Sequence, residues 1–209
     1  MRRIVALAVL LLTLSPANSQ AAPIDALTAL NNLEVKGRAA KTGYARSQFP
    51  HWSDPDRNGC DARNDTLKRD LTNITYKAGT RECKVIAGQL IDPFSGNLIT
   101  FSASGNSIDI DHVVALSNAW QTGAAYFDKS KRTLLANDPL NLLAVDAKLN
   151  RKKGDGDAAT WLPPNKAFRC EYVARQVAVK AKYGLWVTKA EKAMMEKILS
   201  TCVGQKLPT

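Results

Sequence analysis

The sequence predicts an α+β fold, a small antiparallel sheet with flanking helices, stapled by two disulfides. Three observations predict it. Short apolar runs with period-two alternation lie between Pro/Asp/Asn/Gly turns over residues 84–114. Apolar residues recur at helical spacing over 116–136 and 166–199. Four cysteines occur in a chain that opens with an export signal.

That signal is read from Arg2 and Arg3, which precede an apolar run from Ile4 to Leu14 leading into "SPANSQAA". Residues 1–21 are assigned as the signal peptide and 22–209 as one domain, with its core at about 44–202. The run is too short to span a bilayer, so no stable membrane association is expected, and the destination is secreted or periplasmic. The chain has 29 Lys and Arg against 19 Asp and Glu, a net charge of +10. Losing Arg2 and Arg3 with the signal lowers this by two and leaves the protein strongly basic. A basic exported protein favours anionic partners: nucleic acid, or polymers of the cell envelope. No protein partner is inferable.

Cys60, Cys83, Cys170 and Cys202 are an even set in an oxidising destination, which argues for two disulfides. No two of them have the close spacing of zinc ligands. Of three possible pairings, Cys60 with Cys83 and Cys170 with Cys202 is expected, because each pair brackets one contiguous unit.

In chain order, Leu27, Leu30 and Leu33 predict a surface helix, followed by a basic segment with Lys36, Arg38, Lys41 and Arg46. A Pro/Asp/Asn/Gly-rich loop runs into a helix at about 63–71. Residues 84–90 and 98–102 read as strands joined by the turn "DPFSGN", and 108–114 as a third strand. Helical period follows at 116–123 and 129–136, then a short apolar strand in "NDPLNLLAV". A helix begins in "DAKLNRKKGDG" and is ended by Gly154. The last two helices are 166–183, burying Phe168, Tyr172, Val179 and Tyr183, and one opened by a Thr188/Glu191 capping box that buries Met194, Ile198 and Leu199.

The chemistry concentrates between residues 109 and 153. Metal-assisted phosphodiester cleavage needs a divalent ion, a base for water and cationic donors for phosphate. Asp111 is a hard oxygen ligand, His112 a proton acceptor, Asn150 a second oxygen ligand, and Arg151, Lys152 and Lys153 follow directly. Neighbours in a strand point to opposite faces, so a shared site for Asp111 and His112 demands a bend at the strand's end.

"DIDHVVALSNAW", "NDPLNLLAVDAKLNRKKGD" and "WLPPN" resemble the HNH endonucleases with a ββα-metal motif. They are most similar to the secreted bacterial branch related to the C-terminal domain of GmrSD-type restriction enzymes. "NGCDARNDTLKRDL" and "FRCEYVARQVAVKAKYGL" extend the likeness over about residues 44–202. The resemblance implies a ββα-metal core and an endonuclease leaving 5′-phosphate and 3′-hydroxyl ends; with the hard oxygen ligands and the basic charge it is read as a Mg²⁺- or Mn²⁺-dependent enzyme acting on DNA, with RNA left open, and with little sequence preference. It implies His112 as general base, Asp111 and Asn150 as metal ligands and Asn141 as the brace of the loop that presents the histidine. Arg151 and Lys153 are expected at phosphate. The final histidine of the motif is absent, since no histidine follows His112, which makes this an H-N-N variant and weakens any expectation of tight Zn²⁺ or Ni²⁺ binding.

Other readings compete. The rival class is a non-catalytic secreted protein that uses its basic surface on nucleic acid or envelope polymers. Asp54, Asp56, Asn58, Gly59 and Asp65 have the spacing of a calcium loop, but the twelfth position is Asp, not Glu, and a turn before Cys60 is the simpler reading. His51 beside Trp52 reads as a packed aromatic loop ahead of a base-stacking platform, and Trp120 and Trp161 as core residues on apolar helical faces.

Overall fold

The computed structural model describes residues 24–208, so the expected signal peptide, 1–21, lies outside the described residues. Alternation and turns produce two small sheets, where one was expected. β1 (Thr72–Tyr76), β2 (Val85–Ile91) and β3 (Leu98–Ser102) form an antiparallel sheet in that order, and β4 (Ile108–His112) pairs antiparallel with β5 (Leu142–Asp146) in a second. Around them lie seven α-helices among the described residues: α1 (Ala26–Asn31), α2 (Ala62–Asp70), α3 (Leu116–Gln121), α4 (Lys129–Asn137), α5 (Ala147–Lys153), α6 (Arg169–Tyr183) and α7 (Lys189–Leu199).

Most helices start where a short polar side chain can accept an orphan backbone N–H. Asp61, Asp128 and Asp146 do this for α2, α4 and α5. Thr188 and Glu191 form the expected capping box on α7. α5 ends at Gly154, whose φ of 53° is a left-handed value that suits glycine. β1 was not expected; it carries positive φ at Asn73 and shifts register twice against β2, so its alternation is irregular.

The β4–β5 pair sits between packed layers. Ile108, Ile110, Leu142 and Ala144 join Leu67, Leu90 and Phe101 against α2 and the three-stranded sheet. Leu143 and Val145 join Leu30, Phe94, Tyr172, Val173 and Met195 on the side of α1, α6 and α7. A third cluster, Phe49, Val114, Leu116, Trp120, Leu135 and Tyr183, closes the end of β4. Each fully buried large apolar side chain contributes about 1.5–3 kcal/mol relative to exposure, so the pair and the segment after it are rigidly seated. Trp120 is a core residue as expected; Trp161 packs partly buried against Phe94 and Tyr172, but from a loop rather than a helix.

The disulfides are Cys60–Cys83 and Cys170–Cys202, the expected pairing. The first ties the loop before α2 to the segment before β2; the second ties the start of α6 to the chain after α7. Replacing Cys170 and Cys202 together by serine is expected to lower the unfolding free energy by about 3 kcal/mol, because the unfolded chain regains the entropy of a closed loop. Urea denaturation beside the parent protein checks this through the midpoint. Among the described residues no helix is long and apolar enough to cross a membrane.

Candidate active site

β4 carries two adjacent polar residues into the interior. Pleat parity places Asp111 opposite Leu143 on the α5 side, and His112 opposite Leu142 on the other. Both nevertheless line one cavity of about 190 Å³, because it opens at the strand's end and the backbone bends at Val113 and Val114. Arg46, Ala115, Leu116, Asn150, Gly154 and Asp155 complete the lining together with Ile110.

His112 is buried, and its Nε2 lies 2.9 Å from the Ala136 carbonyl oxygen. A carbonyl only accepts, so Nε2 carries the hydrogen and Nδ1 keeps its lone pair. The Trp52 ring stacks on the imidazole at 5.9 Å between centroids, and His51 meets it edge-on at 6.4 Å. Burial, with the positive charges of Arg46 and Lys153 acting in the same direction, lowers the imidazole pKa to about 3 against the opposing effect of its hydrogen bond to Ala136. The ring is therefore neutral at physiological pH.

Asn141 is fully buried and holds the segment that follows His112. Its Oδ1 accepts the Val114 N–H at 2.8 Å, its Nδ2 donates to the Leu135 carbonyl at 3.2 Å, and its own carbonyl accepts the Val113 N–H at 2.8 Å. One asparagine thus links the bend, the end of α4 and the start of β5.

Asp111 is also buried. Its Oδ1 accepts from Lys153 Nζ at 2.7 Å, while Oδ2 has no hydrogen-bond partner among the described residues. Burial pushes its carboxyl above the ordinary range, and the Lys153 ammonium opposes that rise. Asn150, one helical turn before Lys153, reaches the same cavity and holds Asp109 Oδ2 through Nδ2 at 3.4 Å. A carboxylate with one unpartnered oxygen and an amide side chain that line the same cavity are hard oxygen donors of the kind that suits a small divalent cation keeping several waters. No group of three or more His, Cys, Asp or Glu positioned for a metal occurs among the described residues, so a caged soft-metal site is not what these residues offer.

The two residues expected at phosphate part company. Arg151 is 60% exposed, with Nη1 3.6 Å from Asp109 Oδ2. Lys153 points inward instead: its side chain is 0% exposed, and Nζ donates to Asp111 Oδ1 and the His112 carbonyl, because helical spacing from Asn150 returns it to the strand. It holds the site's carboxylate rather than facing a ligand. The acidic loop is likewise self-satisfied. Asp54 accepts the Asn58 and Gly59 N–H groups, and Asp56 and Asp65 accept the Asn58 amide. A larger cavity, about 680 Å³, runs past this loop and Leu134, Asp138 and Tyr183, and neither Asp111 nor His112 lines it.

Sequence reasoning left Arg46 and Asp155 out of the site and assigned Trp52 to a packed loop without its partner. Arg46 and Trp52 come from a segment some 60 residues before β4, and no local pattern signals that closure.

In class this is a nuclease-related α+β protein. Residues 61–198 match the family of GmrSD restriction endonucleases, C-terminal domain, and the chain belongs to that family. It is also 38% identical over 175 residues to a protein of Arthroderma benhamiae named as an uncharacterized secreted protein, covering 83% of this chain and 82% of that one.

Proposed function

We propose that the protein is an exported, divalent-metal-dependent endonuclease that hydrolyses phosphodiester bonds in DNA with little sequence preference, on an HNH-type ββα-metal core formed by β4, β5 and α5. The observation that carries this reading is the convergence of a tautomer-fixed histidine and a half-satisfied carboxylate on one cavity. Family membership supports the nuclease class, and the two disulfides and the secreted relative support export. Catalytic residues do not separate DNA from RNA, a choice that rests on groove shape.

The reaction follows from the residues. His112 Nδ1 takes a proton from water, and the oxygen so released attacks phosphorus in line with the 3′ oxygen. The phosphorus–oxygen 3′ bond breaks, and the leaving oxygen collects a proton from solvent, giving 5′-phosphate and 3′-hydroxyl ends. A ring held neutral by burial is in the accepting state at the outset, and an anionic phosphate brought beside it raises its proton affinity as the reaction proceeds. Asp111 Oδ2 and the Asn150 amide oxygen would hold Mg²⁺ or Mn²⁺, which when bound supplies positive charge for the leaving oxygen. Lys153 and Asn141 keep Asp111 and the His112 loop in place. Arg151, exposed and next in sequence to Asn150, would contact phosphate. The domain from residue 22 onward acts as one unit in this reading.

Incubation of the oxidised protein with supercoiled plasmid tests it. Nicking is expected with Mg²⁺ or Mn²⁺ and none with excess EDTA, and affinity is expected to fall steeply with salt because Lys and Arg displace condensed counterions. Salt-sensitive binding without any cleavage would instead establish the rival, a non-catalytic basic binding protein.

A further inference from the structure

Resting on that reading of the site, we infer that Arg46 binds the scissile phosphate and neutralises the charge that builds on it during cleavage. The charges of the cavity leave one cation over. Two carboxylates line the cavity, and each already has a cation: Lys153 on Asp111 at 2.7 Å, and Lys41 on Asp155 at 2.8 Å. Arg46 is the cation of the lining itself, and its guanidinium makes no hydrogen bond or ion pair with any described residue. An arginine beside two carboxylates that pairs with neither is available to an anion.

The backbone around Arg46 is held firmly enough to aim it. A 3₁₀ turn spans Arg46–Gln48, and the Gln48 side chain accepts the Ala45 N–H at 3.1 Å. On either side Tyr44 and the fully buried Phe49 pack on each other and on Trp120, at 6.0–6.4 Å between ring centroids. The side chain itself remains exposed, so a ligand reaches it without first opening the core. Its positive charge acts on both His112 and Asp111, which puts it within electrostatic reach of both.

A phosphodiester enters with one negative charge and gains a second as water adds, and a planar five-donor guanidinium matches its oxygens two at a time. Arg46 also lies outside the family-matched residues 61–198, so the segment before that match completes the site.

Four proteins test this: wild type, Arg46→Ala, Arg46→Lys and, as an exposed charge control outside the cavity lining, Lys189→Ala. Each is assayed for plasmid cleavage in Mg²⁺, and for binding of a fluorescent DNA duplex in EDTA across a salt series, after its melting midpoint is checked. Arg46→Ala is expected to cleave about 10²-fold more slowly, as when one preorganised donor is removed. Arg46→Lys should recover part of that loss, keeping charge but not the fork, and Lys189→Ala should cleave at the wild-type rate. In the binding arm Arg46→Ala should lower the salt slope by about one. Wild-type cleavage by Arg46→Ala overturns the inference, as does equal loss in the Ala and Lys variants with lowered melting midpoints, which marks a structural role. If wild type does not cleave, the endonuclease reading fails instead, and the salt slope alone decides whether Arg46 takes phosphate.

Discussion

His112→Ala is expected to slow plasmid cleavage by about 10²–10⁴-fold, the contribution typical of a positioned general base. The ring accepts the proton of the attacking water, and nothing else lining the cavity replaces it: Asp111 is tied to Lys153, and Asp155 to Lys41. DNA binding in EDTA should change little, since its affinity comes from cations spread over a strongly basic chain. The two readouts separate the hypotheses. A variant that cleaves as fast as the parent eliminates His112 as the base, whereas a variant that binds but does not cleave locates the chemistry at this ring. Far-ultraviolet circular dichroism belongs in the experiment, because His112 is buried and bonded to Ala136.

Lys153→Met is expected to destabilise the protein by about 3–5 kcal/mol, the usual consequence of breaking a buried ion pair from one side. The Lys153 side chain is fully buried, and its ammonium is the described partner of the Asp111 carboxylate. Methionine fills most of the space but leaves that carboxylate, and the His112 carbonyl, without their donor. Asp111→Asn in the same chain should recover much of the loss, since removing both charges removes the penalty of leaving one alone. Guanidinium titrations of the two single variants and the double variant form a cycle whose coupling term measures the pair. A Lys153→Met protein as stable as the parent would mean that the interior tolerates the lone carboxylate, and Lys153 would lose its structural role.

Much of the secondary structure was legible because its causes are local. The bounds of β3 follow from a turn on one side and alternation on the other, and α7 from a capping box whose two partners are three residues apart. Gly154 ends α5 where positive φ is needed. β1 escaped because its exposed alternation is interrupted by a positive φ at Asn73, leaving no clean period to read. Dividing the strands between two sheets was equally out of reach, since pairing partners are chosen by long-range packing.

The candidate site divides along the same line. The order of the chemistry-bearing residues from Asp111 to Asn150, the even set of four cysteines and the surplus of positive charge are readable in the chain alone, whereas the pairing of those cysteines, favoured among three possibilities, is fixed in the fold. That Lys153 turns inward to Asp111, that Trp52 stacks on His112 and that Arg46 reaches the same cavity came from packing between distant segments. The difference is one of range. Caps, turns and periods are set by neighbours within a few residues, whereas a side chain's direction and charge partner are set by which distant surfaces the packed core brings together.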